Sequence, residues 1–70
     1  MIDTFKMWYR FNDDTEVMEA LAVLLPKDAS VSMLDDALDD DRIFYAFTRG
    51  EKILGNHGDF TVVASEVVYA

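Results

Sequence analysis

In the stretch from Asp3 to Phe11, "DTFKMWYRF", two kinds of side chain alternate from one position to the next. The odd positions carry the large apolar side chains Phe5, Met7, Tyr9 and Phe11, whereas the even positions carry Thr4, Lys6, Trp8 and Arg10. A period of two predicts a strand with one buried face. The odd face is therefore expected to point into a core, and the even face to point toward solvent or a partner.

The length of the chain limits what can cover that strand. A chain of 70 residues buries only roughly 60% of the surface that it exposes when unfolded, so we expect one domain, residues 1–70. It contains no cysteine, which excludes disulfides and thiolate zinc sites. Because 51% of the residues are apolar, the chain is expected to fold rather than to remain disordered.

Two segments after the first strand show helical spacing. In residues 13–25, the apolar side chains at positions 17, 21, 24 and 25 fall on one stripe, Asn12 or Asp13 is a candidate N-cap, and Pro26 would end the helix. In residues 30–39, the apolar side chains at positions 31, 34 and 38 share a face behind a serine cap at position 30 or 32. We therefore predict one helix or two.

The second half of the chain is rich in β-branched and aromatic residues. "RIFYAFT", "KILG" and "DFTVVASEVVYA" are predicted strands, separated by the turns "RGEK" and "NHGD". Short connections favour an antiparallel meander. The predicted fold class is α+β: a single small antiparallel-rich sheet of about four strands in the order β-α-(α)-β-β-β, with one or two helices on one face and the first strand either at an edge or beside the last strand.

Apolar side chains on both faces of the later strands suggest that something covers the second face. Trp8, Phe44 and Tyr69 are the candidate contacts, because aromatic residues are enriched at interface hot spots. A second copy, another partner, or the protein's own short helix and C-terminal residues could supply the cover. Scattered exposed aromatics are also normal on a small protein.

The segment "LDDALDDDR" concentrates five carboxylates, Asp35, Asp36, Asp39, Asp40 and Asp41, in a chain whose formal net charge is −8. Three interpretations compete. "DDALD" matches the DDxxD pattern that holds magnesium diphosphate in isoprenoid synthases, but the chain is too short to enclose a prenyl chain. The acids could instead form a solvated loop, partly neutralised by Arg42. In the third interpretation they face a basic protein, with a spacing comparable to that of phosphates, which Asp13, Glu16 and Glu19 would repeat on the first helix.

No residue pattern predicts catalysis. His57 in "GNHGD" has Asp59 two residues later, but a histidine between glycines is more often a turn residue than a general base. No serine lies in a nucleophile-elbow sequence, and no glycine-rich loop opens a helix. We therefore expect no enzyme, no metal and no cofactor.

The chain is small, acidic, free of cysteine and rich in aromatic residues. In this composition it resembles the inhibitors that phages and mobile elements encode against host nucleic-acid enzymes, including anti-CRISPR and anti-restriction proteins. The resemblance implies a nucleic-acid mimic that blocks a basic surface of a host protein and does not bind nucleic acid directly. The predicted contacts are Asp35, Asp36, Asp39, Asp40, Asp41, Glu16, Glu19, Trp8 and Phe44.

The competing hypothesis is a structural or self-association module, a homodimer whose acids only maintain solubility. The start of the chain lacks the basic residues and the apolar run of a secretory signal, and nowhere do eighteen apolar residues follow one another. These features predict a cytoplasmic protein without a membrane partner.

Overall fold

The computed structural model describes residues 3–66 and places five strands and one helix along the chain. In chain order they are β1 (Asp3–Phe11), β2 (Met18–Leu25), α1 (Val31–Leu38), β3 (Ile43–Thr48), β4 (Gly55–Asn56) and β5 (Phe60–Ser65). All five strands form one sheet in the order β3-β2-β1-β5-β4. β1 is antiparallel to both of its neighbours, β4 is antiparallel to β5, and β3 is parallel to β2.

The alternation in β1 sorts its side chains as the sequence predicts. Phe5, Met7 and Tyr9 are buried, and the even positions next to them are half-buried or exposed. The strand pairings place Ala22 and Leu24 of β2, Phe47 of β3, and Phe60 and Val62 of β5 on the same face as these three residues. Together they form the main apolar core.

The sheet curves around this core. The rings of Tyr45 in β3 and Phe60 in β5 have centroids 5.2 Å apart, although β2 and β1 lie between their strands. In a flat sheet, strands three places apart are separated by roughly 14 Å and their side chains stand parallel. The ring contact therefore requires the core face to be concave.

The connection between β3 and β5 closes over the concave face. The His57 ring lies against Phe60, with centroids 5.7 Å apart, and against the edge of Phe47 at 5.0 Å. Its Nε2 atom lies 2.6 Å from the carbonyl oxygen of Ile53, which itself packs on the core. His57 therefore has a structural position inside an aromatic cluster.

The helix α1 lies on the opposite face, over β2 and β3. Its N-cap is Ser30, whose Oγ accepts a hydrogen bond from the Met33 N–H at 3.3 Å. Val23 and Leu25 are buried but do not belong to the concave core. Since α1 contacts their strand, we infer that the helix covers them. Within residues 3–66, no helix lies over the same face of β1 and β5, which we call the open face.

The predicted helix over residues 13–25 is wrong, because β2 occupies its second half. β2 lies between two other strands, and Ala22–Leu25 are buried on both faces. A strand buried on both faces shows a continuous apolar run instead of alternation, and such a run has no period that distinguishes it from a buried helix. The predicted helix from residue 30 to residue 39 is confirmed as α1.

The predicted meander is also wrong. The connection from β2 through α1 to β3 spans residues 26–42 and returns the chain parallel to β2, so β3 lies at the far edge from β4 and β5. "KILG" contributes only Gly55 to a strand. The broader prediction, an α+β protein with one small sheet, is confirmed, with five strands and one helix among residues 3–66, and β1 lies beside the last strand.

Candidate functional site

Three connections meet at one end of the sheet. The β1–β2 connection, residues 12–17, lies where β1 ends and β2 begins. Because β3 is parallel to β2, the α1–β3 connection, residues 39–42, lies at this same end. Because β5 is antiparallel to β1, the β4–β5 turn, residues 57–59, also lies there. The fold thus brings together segments that are up to 47 positions apart in the sequence.

These connections carry seven carboxylates, which we call the acidic end: Asp13, Asp14, Glu16, Asp39, Asp40, Asp41 and Asp59. Six are exposed and Asp40 is half-buried. Arg10 and Arg42 are the basic residues described at this end, so its formal charge is −5 of the total −8. Three of the six basic residues, Lys27, Arg49 and Lys52, follow the opposite ends of β2 and β3. The opposite end also carries Asp3, Asp28, Glu51 and Glu66, so its formal charge is −1 and the negative charge is concentrated at the acidic end.

Asn12 ties two of the acidic connections together. Its backbone N–H donates to the Asp59 carbonyl at 3.0 Å, and its side-chain amide donates to the Gly58 carbonyl. Its Oδ1 accepts a hydrogen bond from the Thr61 hydroxyl at 2.8 Å. Gly58 has φ of 89°, a conformation that favours glycine and that the turn requires. Asp13 and Asp59 are consequently held on neighbouring loops.

An open depression of about 550 Å³ lies between these two loops. Phe11, Asn12, Asp13 and Asp59 line it. Two acidic residues and a phenylalanine among its lining residues are a combination that suits a cationic side chain. The depression is therefore a candidate contact point for a lysine or an arginine.

The β1–β2 connection is shaped by one of its own acids. The Asp14 carboxylate accepts hydrogen bonds from the N–H groups of Thr15 at 2.7 Å and Glu16 at 3.2 Å. Arg10 donates to the Asp14 carbonyl at 3.4 Å. Asp14 therefore has a local structural role, whereas Asp13 and Glu16 present exposed carboxylates to solvent.

Asp40 and Arg42 form a bidentate ion pair within the second connection. The Arg42 Nη2 and Nε atoms donate to the two Asp40 carboxylate oxygens at 2.8 and 3.1 Å, and the Arg42 backbone N–H donates at 2.9 Å. These hydrogen bonds, the side-chain ones first, lower the pKa of Asp40 from 3.8 to about 2 and raise the pKa of Arg42. Arg42 is thus already engaged, and it leaves Asp39 and Asp41 without compensation from its side chain.

We expect the Asp40 carboxyl to titrate near pH 2 in the folded protein, because protonation breaks its hydrogen bonds to Arg42. Since its folded pKa lies below the ordinary value of 3.8, the pair stabilises the fold above about pH 4, and this contribution is lost as the pH falls to about 2. A carbon-detected NMR titration of the side chain measures the midpoint. Arg42→Gln should raise it toward the ordinary value, whereas Lys27→Gln at the opposite end should not. A wild-type midpoint near 4 would contradict the pairing.

The predicted acidic contact residues are dispersed over three regions. Asp39, Asp40, Asp41 and Glu16 lie at the acidic end, with Asp40 occupied by Arg42. Asp35 and Asp36 are exposed on α1. Glu19 lies on β2 and pairs with Lys6 at 3.8 Å. The predicted repeat of helical spacing over Asp13, Glu16 and Glu19 is wrong, because no helix forms there.

The predicted aromatic contacts have different environments. Trp8 is half-buried on the open face, opposite Glu19 and Ala64. Phe44 is 36% exposed and stacks on Tyr9 with a centroid distance of 4.4 Å, so one side of its ring contacts a core residue. Tyr69 lies outside the described residues.

The structure also shows the environment of His57 and whether acidic side chains are grouped as metal ligands would be. His57 contacts Ile53 and aromatic rings, and its prediction as a turn residue agrees with its place between β4 and β5. Within residues 3–66, no three histidine, aspartate or glutamate side chains are grouped so that they could hold a metal ion.

Sequence reasoning missed Asp14 and Asp59 as members of the acidic end. Asp59 is 18 positions beyond Asp41, and only the pairing of β5 with β1 places it beside Asn12. A usable signal did exist. "NHGD" is a turn before a predicted strand, and an antiparallel partner for β1 would bring that turn to the end where β1 finishes.

In comparisons with known proteins, the chain matched no family model, no curated protein and no solved structure. The part of the chain that the structure describes contains no helix with the length and apolar character needed to cross a membrane.

Proposed function

We propose that this protein is a small inhibitor that uses its acidic end as a nucleic-acid mimic to block the basic, nucleic-acid-binding surface of another protein. One observation carries the proposal: the strand order brings seven carboxylates from three separate connections to one end of a sheet. A surface with a formal charge of −5 across roughly 14 Å of sheet is an electrostatic target for a groove lined with lysine and arginine.

The energetics of the fold support a role in binding. Two like charges about 6 Å apart in water repel by roughly 0.7 kcal/mol before screening by salt. Asp39 and Asp41 follow the C-terminal end of α1, where the negative end of the helix dipole makes an exposed acid unfavourable by about 0.3–1 kcal/mol. A small protein has little stability to spare. A positively charged partner would remove this repulsion on binding.

The hydrogen bonds at the acidic end support the same proposal. Asn12 links two loops, Asp14 fixes the turn of its own loop, and Asp40 is held by Arg42. These contacts reduce the freedom of the connections that carry Asp13, Asp59, Asp39 and Asp41. A preorganised charge pattern loses less entropy when it binds, and long-range attraction raises the association rate.

The class of inhibitor proposed is an anti-defence protein of a phage or mobile element, of the anti-CRISPR or anti-restriction type, acting in the cytoplasm. This part of the proposal is supported by composition and by the acidic end. The action is stoichiometric binding, without catalysis, cofactor, metal, membrane or direct contact with nucleic acid.

Affinity capture is the test. With the intact protein as bait in a nuclease-treated bacterial lysate, we expect a basic nucleic-acid-binding protein to be retained at low salt and released at high salt, because screening weakens attraction between exposed charges. Added duplex DNA should release the same protein. Capture that neither salt nor DNA affects would contradict the proposal, as would a partner without a nucleic-acid-binding surface.

A homodimer formed through the open sheet face is the second candidate. The observation that favours it is the patch made by Trp8 with Ala64 and Val63, the last of which is 45% exposed. Light scattering after size exclusion distinguishes the two candidates. A dimer that persists at high salt and buries Trp8 supports self-association, and a monomer supports the inhibitor.

A further inference from the structure

One edge of the sheet is formed by β3. It pairs with β2 on one side, and no strand lies on its other side within residues 3–66. Its sequence, "IFYAFT", is apolar and carries no charge. Free strand edges bind other extended chains, and charged residues or proline usually protect them. β3 has neither protection within its own length.

Hydrogen bonds beside β3 show which backbone groups point outward. The Arg49 N–H donates to the Leu25 carbonyl at 2.9 Å, so the backbone groups of Arg49 point toward β2. Thr48 points away, because its N–H and carbonyl bind Glu51 at 3.1 and 3.0 Å. Groups alternate along a strand. The N–H and carbonyl of Ala46 therefore point outward, on the side without a strand.

The two ends of this edge are already used. Glu51 binds the N–H and the carbonyl of Thr48, and the Asp40 carbonyl accepts a hydrogen bond from the N–H of Ile43 at 3.0 Å. Phe44 is the extra residue where the register between β2 and β3 shifts. The open part of the edge is therefore short, Phe44 to Phe47, with Ala46 as its donor and acceptor.

Negative charge lies on one face of this open edge and in the connection before it. The acidic connection with Asp39 and Asp41 precedes β3 directly, and α1, which packs over β2 and β3, carries exposed Asp35 and Asp36. On the opposite face, the 36% exposed ring of Phe44 offers an apolar contact. A strand added here would meet carboxylates on one face and an aromatic ring on the other.

We propose that an extended segment of the partner, with basic and apolar residues in alternation, pairs with the outer edge of β3 at Ala46. This inference depends on the proposed function, since it specifies how a basic partner docks beside the acidic end. Backbone pairing supplies affinity, and the alternating side chains supply specificity. The basic residues face Asp35, Asp36 and Asp39, and the apolar residues face Phe44.

A fluorescein-labelled peptide of alternating lysine and valine is the probe, measured by fluorescence anisotropy. Ala46→Pro removes the outward N–H without removing a bond to β2, and it should weaken peptide binding about tenfold. Ala46→Ser keeps the N–H and should bind as the wild type does. Circular dichroism and thermal melting establish that both variants are folded.

A second measurement needs no variant. In the wild-type protein, the Ala46 amide should exchange with solvent quickly, and saturating peptide should slow this exchange about tenfold. By the same alternation, the amides of Tyr45 and Phe47 point toward β2 and serve as internal controls. The same peptide with N-methyl groups on both its lysine and its valine backbone amides keeps its charge and should lose this effect. Unchanged Ala46 exchange at saturation, or no peptide binding at all, would overturn the inference.

The two proposals fail in different ways. If binding falls with salt but the proline variant and the methylated peptide bind as well as their controls, charge recognition stands and edge pairing is wrong. If the proline substitution weakens binding while salt and Asp39→Asn with Asp41→Asn have no effect, edge pairing stands and the nucleic-acid mimic is wrong.

Discussion

Replacement of Phe47 by alanine is expected to remove a large part of the protein's free energy of unfolding at 25 °C. Phe47 is fully buried, and its ring contacts Phe5, Tyr45 and His57 from three different segments. Removing a buried phenylalanine side chain costs about 3–5 kcal/mol, because the lost transfer free energy adds to a cavity. A domain of this size has a total stability of roughly 4–10 kcal/mol.

Phe44→Ala is the matched control for Phe47→Ala. It makes the same chemical change on the same strand, but at a ring that is 36% exposed. Equilibrium urea unfolding followed by circular dichroism gives both free energies of unfolding. We expect the loss at Phe47 to exceed the loss at Phe44 by at least about 1 kcal/mol. Equal losses would mean that the concave face is not the main core.

The elements that the sequence predicts well are those whose signal is local. The alternation in β1 identifies its buried face without information from any other segment, and Ser30 caps α1 through a hydrogen bond three residues away. In both cases, the residues that carry the signal are also the residues that make the contact. The exposure of Asp35, Asp36, Asp39 and Asp41 was also predictable from a local signal, the charge of the residues themselves.

β2 was not predictable in this way because its burial depends on distant segments. Asp14 binds the N–H groups of the next two residues, and an aspartate at a helix N-terminus binds N–H groups in a similar manner. Acids followed by an apolar run therefore fit both a helix start and a hairpin connection. Only the strands on both sides of β2 decide between them.

The acidic end shows the same division between local and distant signals. The Asp-rich segment is visible in the sequence, but the neighbourhood of Asp13 and Asp59 depends on the pairing of β1 with β5 and on the Asn12 hydrogen bonds. Parallel pairing of β3 with β2 then places Asp39 and Asp41 at the same end. Local sequence indicates charge, and topology determines which charges act together.

Neutralising four carboxylates of the acidic end is expected to remove most partner binding and to leave the fold slightly more stable. The substitutions are Asp13→Asn, Asp39→Asn, Asp41→Asn and Asp59→Asn, at exposed side chains that hold none of the loops together. Asp14 and Asp40 are kept because they bind Thr15 and Arg42. Electrostatic steering accounts for factors of about 10 to 1,000 in association rate, so we expect a loss in that range.

Two double variants separate the contribution of each connection. Asp39→Asn with Asp41→Asn, and Asp13→Asn with Asp59→Asn, each remove two charges, as does the control, Asp28→Asn with Glu66→Gln, outside the acidic end. Surface plasmon resonance against the captured partner gives association rates, and urea unfolding gives stability. The control should bind nearly as the wild type does, since repulsion and steering fall off beyond about 8 Å at physiological salt.

Measuring stability and association rate on the same variants makes this experiment decisive. If the acids are present for binding, their neutralisation relieves repulsion and raises the free energy of unfolding by about 1 kcal/mol while the association rate falls. If they only keep the protein soluble, the quadruple variant should bind at the wild-type rate and become less soluble. A more stable variant with undiminished binding would exclude the acidic end as the recognition surface, whatever the partner is.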